Sequence, residues 1–135
     1  MLKYMLDTCI CIYTLKNQPQ RVREAFLLHH DQLCISTVTL MELIKGAEKS
    51  GNPESNMKII EGFVARLRVL DFDSKAAVHA GQIIAELERG GLRIGSYDNQ
   101  IAGHARSQGL IIVTNNVREF ERVPGLRVEN WVNEK

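Results

Sequence analysis

The sequence has no surplus of either charge: 17 basic side chains face 16 acidic ones, a formal net charge of +1. A chain so balanced has no overall field to draw in a polyanion, so any nucleic-acid site must be local or assisted by a metal ion. Proline is scarce, at 3 residues, and glycine numbers only 10 in 135. With 44% hydrophobic and 24% charged residues, collagen-like, low-complexity and disordered chains are excluded. No apolar run approaches the ~20 residues of a membrane span. The opening Met1-Leu2-Lys3-Tyr4-Met5-Leu6-Asp7 is too short and too soon charged for a signal peptide, which points to a cytoplasmic protein.

Cysteine is also sparse. Cys9, Cys11 and Cys34 are odd in number and form no C-x-x-C pair, so neither a disulfide framework nor a zinc ribbon is indicated. His29, His30, His79 and His104 stand at no useful ligand spacing to join them. Beside Ile10, Ile12 and Ile35, the cysteines read as small buried hydrophobes.

What remains is an alternation of short apolar runs and amphipathic stretches. Leu2 to Leu6 reads as a strand ending at Asp7-Thr8, and Cys9 to Leu15 as a short helix before the break at Asn17-Gln18-Pro19. Arg21 to His30 is helical, Leu33 to Ser36 a strand, and Leu40, Leu43, Ile44 and Ala47 mark one helical face. After the loop Ser50-Gly51-Asn52-Pro53, a helix is expected over Met57 to Leu67 and a strand over Arg68 to Phe72. Ser74 to Arg89 predicts the longest helix, its stripe formed by Ala77, Ala80, Ile84 and Leu87. Another helix runs from Ser96 until Gly109 stops it, and Leu110 to Thr114 suits a central strand buried on both faces. A short turn at Val117 to Val123 and a last strand near Arg127-Val128 complete the order. Strands alternating with helices imply an α/β fold, a parallel sheet covered on both sides as a three-layer α/β/α sandwich. One domain over residues 1–132 is expected, with a short tail at 133–135.

In such a sheet ligands gather beyond the carboxyl ends of the strands where the strand order reverses. If the first strand neighbours Leu110–Thr114, Asp7-Thr8 and Thr114-Asn115-Asn116 meet on one rim. Taken alone, Asp7 is more simply a helix N-cap. Asp98 breaks its local pattern: it shares the i, i+3, i+4, i+7 stripe with Ile101, Ala102 and Ala105. Burying an unpaired charge there costs more than a helix dipole returns, so this carboxylate is a site candidate. Glu42 falls opposite the apolar face of its helix, and Thr39-Leu40-Met41-Glu42 matches a capping box. Glu119 and Glu121 read as exposed charges interleaved with arginines.

These pieces, in order, resemble the PIN-domain endoribonucleases, and among them the VapC toxins of bacterial toxin–antitoxin pairs. The matching stretches are Met5-Leu6-Asp7-Thr8, Ile35 to Leu43 with Gly46-Ala47-Glu48, Tyr97-Asp98-Asn99-Gln100-Ile101-Ala102, and Leu110 to Asn116 followed by Glu119-Phe120. The resemblance implies that Asp7, Glu42 and Asp98 converge on an acidic pocket holding Mg²⁺ or Mn²⁺, which overrides the capping reading of Glu42. It implies support from Thr8, Thr114, Asn115 and Asn116. Many members carry Asp where this chain has Asn116, and Glu119 is expected to supply the missing charge as a fourth catalytic carboxylate. Many have Asn or Ser where Cys9 stands.

The implied function is a metal-dependent endoribonuclease toxin that inhibits translation, cutting a tRNA anticodon loop rather than ribosomal RNA. The implied partners are a VapB-type antitoxin and a second copy of the chain, with a larger hetero-oligomer once antitoxin is bound; no membrane is involved. Carboxylate oxygens without His or thiolate select hard cations. Two like charges ~4 Å apart repel by ~4 kcal/mol at an effective dielectric near 20, so such a pocket requires a cation or a raised pKa. Lys45, Lys49, Arg93, Arg106 and Arg118 are candidates for flanking phosphates. Two other readings stand beside this one: a catalytically inert PIN-type binding module, weakened by Asn116, and phosphotransfer through Asp7 as nucleophile.

Overall fold

The computed structural model describes residues 1–17 and 20–132. The break at Asn17-Gln18-Pro19 falls on Gln18 and Pro19, outside the described residues, as does the 133–135 tail. Five strands form one sheet: β1 (Tyr4–Leu6), β2 (Leu33–Ser36), β3 (Arg68–Leu70), β4 (Ile111–Val113) and β5 (Val128–Glu129). Their order is β3-β2-β1-β4-β5, and every neighbouring pair is parallel. The chain therefore builds outward from β1 to one edge, then crosses back to place β4 on its other side. The order reverses between β1 and β4, where Tyr4, Met5 and Leu6 pair with Ile111, Ile112 and Val113. The α/β/α sandwich with a central parallel sheet is borne out.

Strand alternation divides the core. Tyr4, Leu6, Leu33, Ile35, Ile111 and Val113 project to one face of the sheet, and Met5, Cys34 and Ile112 to the other. The first face is covered by α1 (Thr8–Asn17), α2 (Gln20–Leu28), α3 (Thr37–Glu48) and α4 (Pro53–Val64), through residues such as Ile10, Val22, Leu43 and Ile60. The second is covered mainly by α5 (Ser74–Arg89), α6 (Ser96–Ser107) and α7 (Val117–Phe120). Fully burying one such Ile, Leu or Phe contributes roughly 1.5–3 kcal/mol, so both faces are needed to hold the strands together.

The expected elements all form, most with ends moved by one to three residues, and two differences carry a physical reason. α4 starts at Pro53 rather than Met57, because Pro53 occupies the first turn, where its missing N–H costs nothing. The buried stripe of α5 is Ala76, Ala80, Ile83 and Leu87, so Ala77 and Ile84 face outward instead. The consecutive Ile83-Ile84 allows either register, and packing against α6 selects the former. That packing is close: a Cβ on Gly103 would lie 2.5 Å from the Ala80 backbone nitrogen, so only glycine lets the helices approach so nearly. Beneath this contact the buried His104 places Nδ1 2.8 Å from the Ser36 hydroxyl, at the end of β2.

Candidate active site

Asp7 follows β1 directly and Thr114 follows β4. The Asp7 N–H donates to the Val113 carbonyl at 3.0 Å, tying the two strand ends together. One carboxylate oxygen, Oδ1, accepts from the Ile10 N–H at 2.9 Å, which caps α1. The other, Oδ2, accepts from the Thr114 hydroxyl at 2.6 Å. The cap and the rim position are thus one residue doing two jobs with two oxygens. Asp7 is only 1% exposed. Burial pushes its pKa up, the Thr114, Ile10 and Cys9 hydrogen bonds oppose that rise, and the Glu42 charge adds to it.

Cys9 departs from the reading of all three cysteines as inert hydrophobes. Cys11 and Cys34 are buried, but Cys9 is half-buried with polar neighbours. Its Sγ lies 3.0 and 3.1 Å from the Asp7 oxygens and also hydrogen-bonds Asn115 Oδ1, placing the exposed Asn115 beside the site. Burial and the Asp7 charge push the thiol up to about 12, so it stays protonated and acts as a donor. The signal for this was positional: Cys9 lies in the first turn of a helix that starts at the strand end, where side chains face the rim.

The capping box read at Thr39-Leu40-Met41-Glu42 does not form. α3 begins three residues earlier than that box implies, at Thr37, and its cap is Ser36, whose hydroxyl accepts from the Val38 N–H at 3.0 Å. That frees Glu42, whose Oε1 accepts from the Thr8 hydroxyl at 2.5 Å. Thr8 also lies 3.2 Å from the Thr39 hydroxyl, so the buried Thr8–Thr39 pair holds Glu42 against the start of α1.

Asp98 sits in the first turn of α6, which has no side-chain cap. Its neighbour Gly95 has no room for a side chain without crowding it: a Cβ there would stand 3.1 Å from Asp98 Oδ2. The Asp98 carboxyl is raised to about 8, chiefly by burial, then by a hydrogen bond and like charge from Glu119, with smaller pushes from Asp7 and Glu42. Glu119, read from the sequence as an exposed charge, is held toward this point. Its Oε1 accepts from the Asn116 side-chain amide at 3.1 Å and its Oε2 from the Gly95 N–H at 3.4 Å. The Asn116 N–H in turn donates to the Thr114 hydroxyl at 2.8 Å. Asn116 therefore orients a carboxylate rather than providing one.

Asp7, Glu42, Asp98 and Glu119 thus come from four separate elements to one stretch of rim, close enough that Asp98 feels the other three. Among the described residues, no three acidic, histidine or cysteine side chains are drawn together into a finished metal cage. The donor chemistry fits a hard divalent cation all the same: the oxygens are carboxylate and hydroxyl, and the burial and like charge that raise Asp98 to about 8 are what a cation would offset. Of the basic candidates, Arg106 is ruled out. Its guanidinium is engaged by His79 Nδ1 at 2.9 Å, the Pro124 carbonyl at 2.8 Å and Gln82 at 3.0 Å.

A parallel sheet with carboxylates gathered where its strand order reverses is the arrangement of a PIN domain, and the model of that family matches residues 4–126. The chain belongs to the PIN-domain family. Within it, the chain is of the VapC type. It is 66% identical over 131 residues to the tRNA(fMet)-specific endonuclease VapC of Shigella flexneri, covering 97% of this chain and 99% of that one. It is 60% identical over 131 residues, with the same coverage, to the tRNA(fMet)-specific endonuclease VapC of Salmonella typhimurium. The crystal structure of DNA-bound VapBC from Salmonella typhimurium superimposes with a TM-score of 0.95 at 60% identity, covering 97% of this chain and 99% of that chain.

Proposed function

We propose that this protein is a divalent-metal-dependent endoribonuclease that cleaves tRNA, with tRNA(fMet) the substrate named for its relatives in Shigella flexneri and Salmonella typhimurium. The observation that carries the reading is the acidic rim itself: Asp7 held by Thr114, Glu42 by Thr8, and Asp98 and Glu119 both set against Gly95. Asp7, Glu42 and Asp98 would hold Mg²⁺ or Mn²⁺, with Glu119 as the fourth carboxylate. A cation bound there supplies positive charge to the scissile phosphate and to the attacking water.

The chain's own residues then do the positioning. Asp7 is fixed by Thr114, Ile10 and Cys9, and Glu42 by Thr8, so neither carboxylate has to be ordered when substrate arrives. Burial and the neighbouring Glu119 charge raise the Asp98 carboxyl to about 8, so a cation bound there would displace its proton and relieve the repulsion. The strand ends wall the site on one side, while Asn115 and Asn116 leave its mouth exposed to a substrate as large as a folded RNA.

Names and complexes of the relatives support the rest. Relatives crystallised as VapBC complexes support a VapB-type antitoxin as partner here; a homodimer of this chain and a larger hetero-oligomer with the antitoxin belong to the same proposal. Among the described residues no helix is long and apolar enough to cross a membrane. A toxin whose target is tRNA acts where translation occurs, so a cytoplasmic location goes with this reading. The test is incubation of the purified protein with total tRNA and Mg²⁺, with EDTA and Asp98→Asn as controls. Discrete fragments are expected in the first reaction and none in the controls; cleavage that persists unchanged in both controls overturns the mechanism.

A further inference from the structure

A ring of carboxylates repels the phosphates it is meant to receive, and a chain of net charge +1 offers no compensating field. An attraction that does not depend on net charge adds to that of a bound cation at the mouth of the site. Among the Phe, Tyr and Trp side chains of the described residues, only Tyr97 is exposed, at 38%, and it immediately precedes Asp98 on α6. Across from it on α3 stands Lys45, three residues after Glu42 and so on the same side of its helix. The Lys45 ammonium lies over the Tyr97 ring, 5.7 Å from its centroid.

We propose that Tyr97 and Lys45 form a nucleotide-binding subsite beside the carboxylate cluster, the ring stacking on a base of unpaired RNA and the ammonium meeting the backbone phosphate of the same nucleotide. The inference rests on the ribonuclease reading and sharpens it, since it requires an unpaired base next to the cleaved bond. Every base has a π face, and stacking on an aromatic side chain draws in a nucleotide whatever the charge around it. Lysine carries its charge on a flexible four-carbon stem, so it can leave the ring for a phosphate without moving the backbone. The two residues sit on the helices that carry Asp98 and Glu42, so a nucleotide held between them lies against the carboxylates. A solvent-facing tyrosine contributes little to the core, which is why its replacement reports on binding rather than folding.

The test has two readouts. Binding of a fluorescein-labelled single-stranded RNA decamer is followed by anisotropy in EDTA at several salt concentrations, and cleavage of total tRNA is followed with Mg²⁺. Tyr97→Ala is expected to weaken decamer binding and raise KM about ten-fold with kcat little changed, and Tyr97→Phe to recover most of that loss. Lys45→Ala is expected to lower the salt dependence of binding by about one phosphate contact. Melting temperatures confirm that each variant is folded. Wild-type cleavage with KM and decamer binding unmoved by Tyr97→Ala overturns the subsite and leaves the ribonuclease reading standing. Ring-dependent decamer binding without any Mg²⁺-dependent cleavage does the reverse. Loss of affinity for a VapB-type antitoxin alone, with RNA binding intact, assigns the pair to protein recognition and overturns the proposal.

Discussion

Asp98→Asn should make the metal-free protein more stable while abolishing its activity. The substitution keeps the shape of the side chain and supplies an amide that can donate to Glu119, as the protonated acid does. In the unfolded chain Asp98 has the ordinary value of 3.8, and in the fold about 8. Between those values the folded state binds the extra proton, so stability falls as pH rises through that window and levels off above it. An unscreened shift would correspond to several kcal/mol at neutral pH, at about 1.36 kcal/mol per unit. Asp98 is partly open to solvent, so screening reduces the relief to about 1–2 kcal/mol. For a chain of this length that is a rise in Tm of about 3–8 °C. Thermal melts in EDTA at about pH 5 and about pH 8.5 check it: the gain should be small at the lower pH and largest at the higher. A variant that melts at or below wild type at the higher pH, or with a gain that does not grow with pH, refutes the shared-charge account of the site.

The same electrostatics govern metal binding. Mg²⁺ or Mn²⁺ should raise the Tm of wild type more above pH 8 than near pH 6, because cation and proton compete for the same carboxylates; a Tm scan across metal concentration reads this directly, and Asp98→Asn should respond weakly. Cys9 should resist iodoacetamide at neutral pH, since its thiol titrates at about 12, and Cys9→Ser should cleave RNA better than Cys9→Ala, because the hydroxyl keeps the donor to Asp7; mass spectrometry and initial rates settle both. Gly103→Ala should destabilise the fold by about 1–3 kcal/mol or more, seen as a lower urea midpoint at unchanged slope, because its Cβ would meet the Ala80 backbone at 2.5 Å.

Much of the fold was legible because its signals are local. Leu2–Leu6 and Leu110–Thr114 read as the central strands from their apolar runs, and the strands that form within them, Tyr4–Leu6 and Ile111–Val113, are buried on each face. Ser74–Arg89 and Leu33–Ser36 have the boundaries expected of them. Where local signals allowed two answers, packing chose: Ile83 over Ile84 on α5, and Ser36 over Thr39 as the cap of α3. The second choice matters for function, since a true capping box would have tied Glu42 to its own helix instead of releasing it to Thr8. The candidate site divides the same way. Asp98 stood out because a carboxylate on an apolar stripe contradicts its surroundings, a conflict that one helix is enough to display. Glu119, Cys9 and Lys45 contradict nothing locally. Their partners lie 24 residues away at Gly95, 106 away at Asn115, and across the cleft at Tyr97. Such contacts depend on which strand ends lie side by side, and hydrophobic periodicity carries no record of strand order. A carboxylate that violates its own helix can be read from sequence, whereas one that becomes functional only through a neighbour on another strand end needs the topology first.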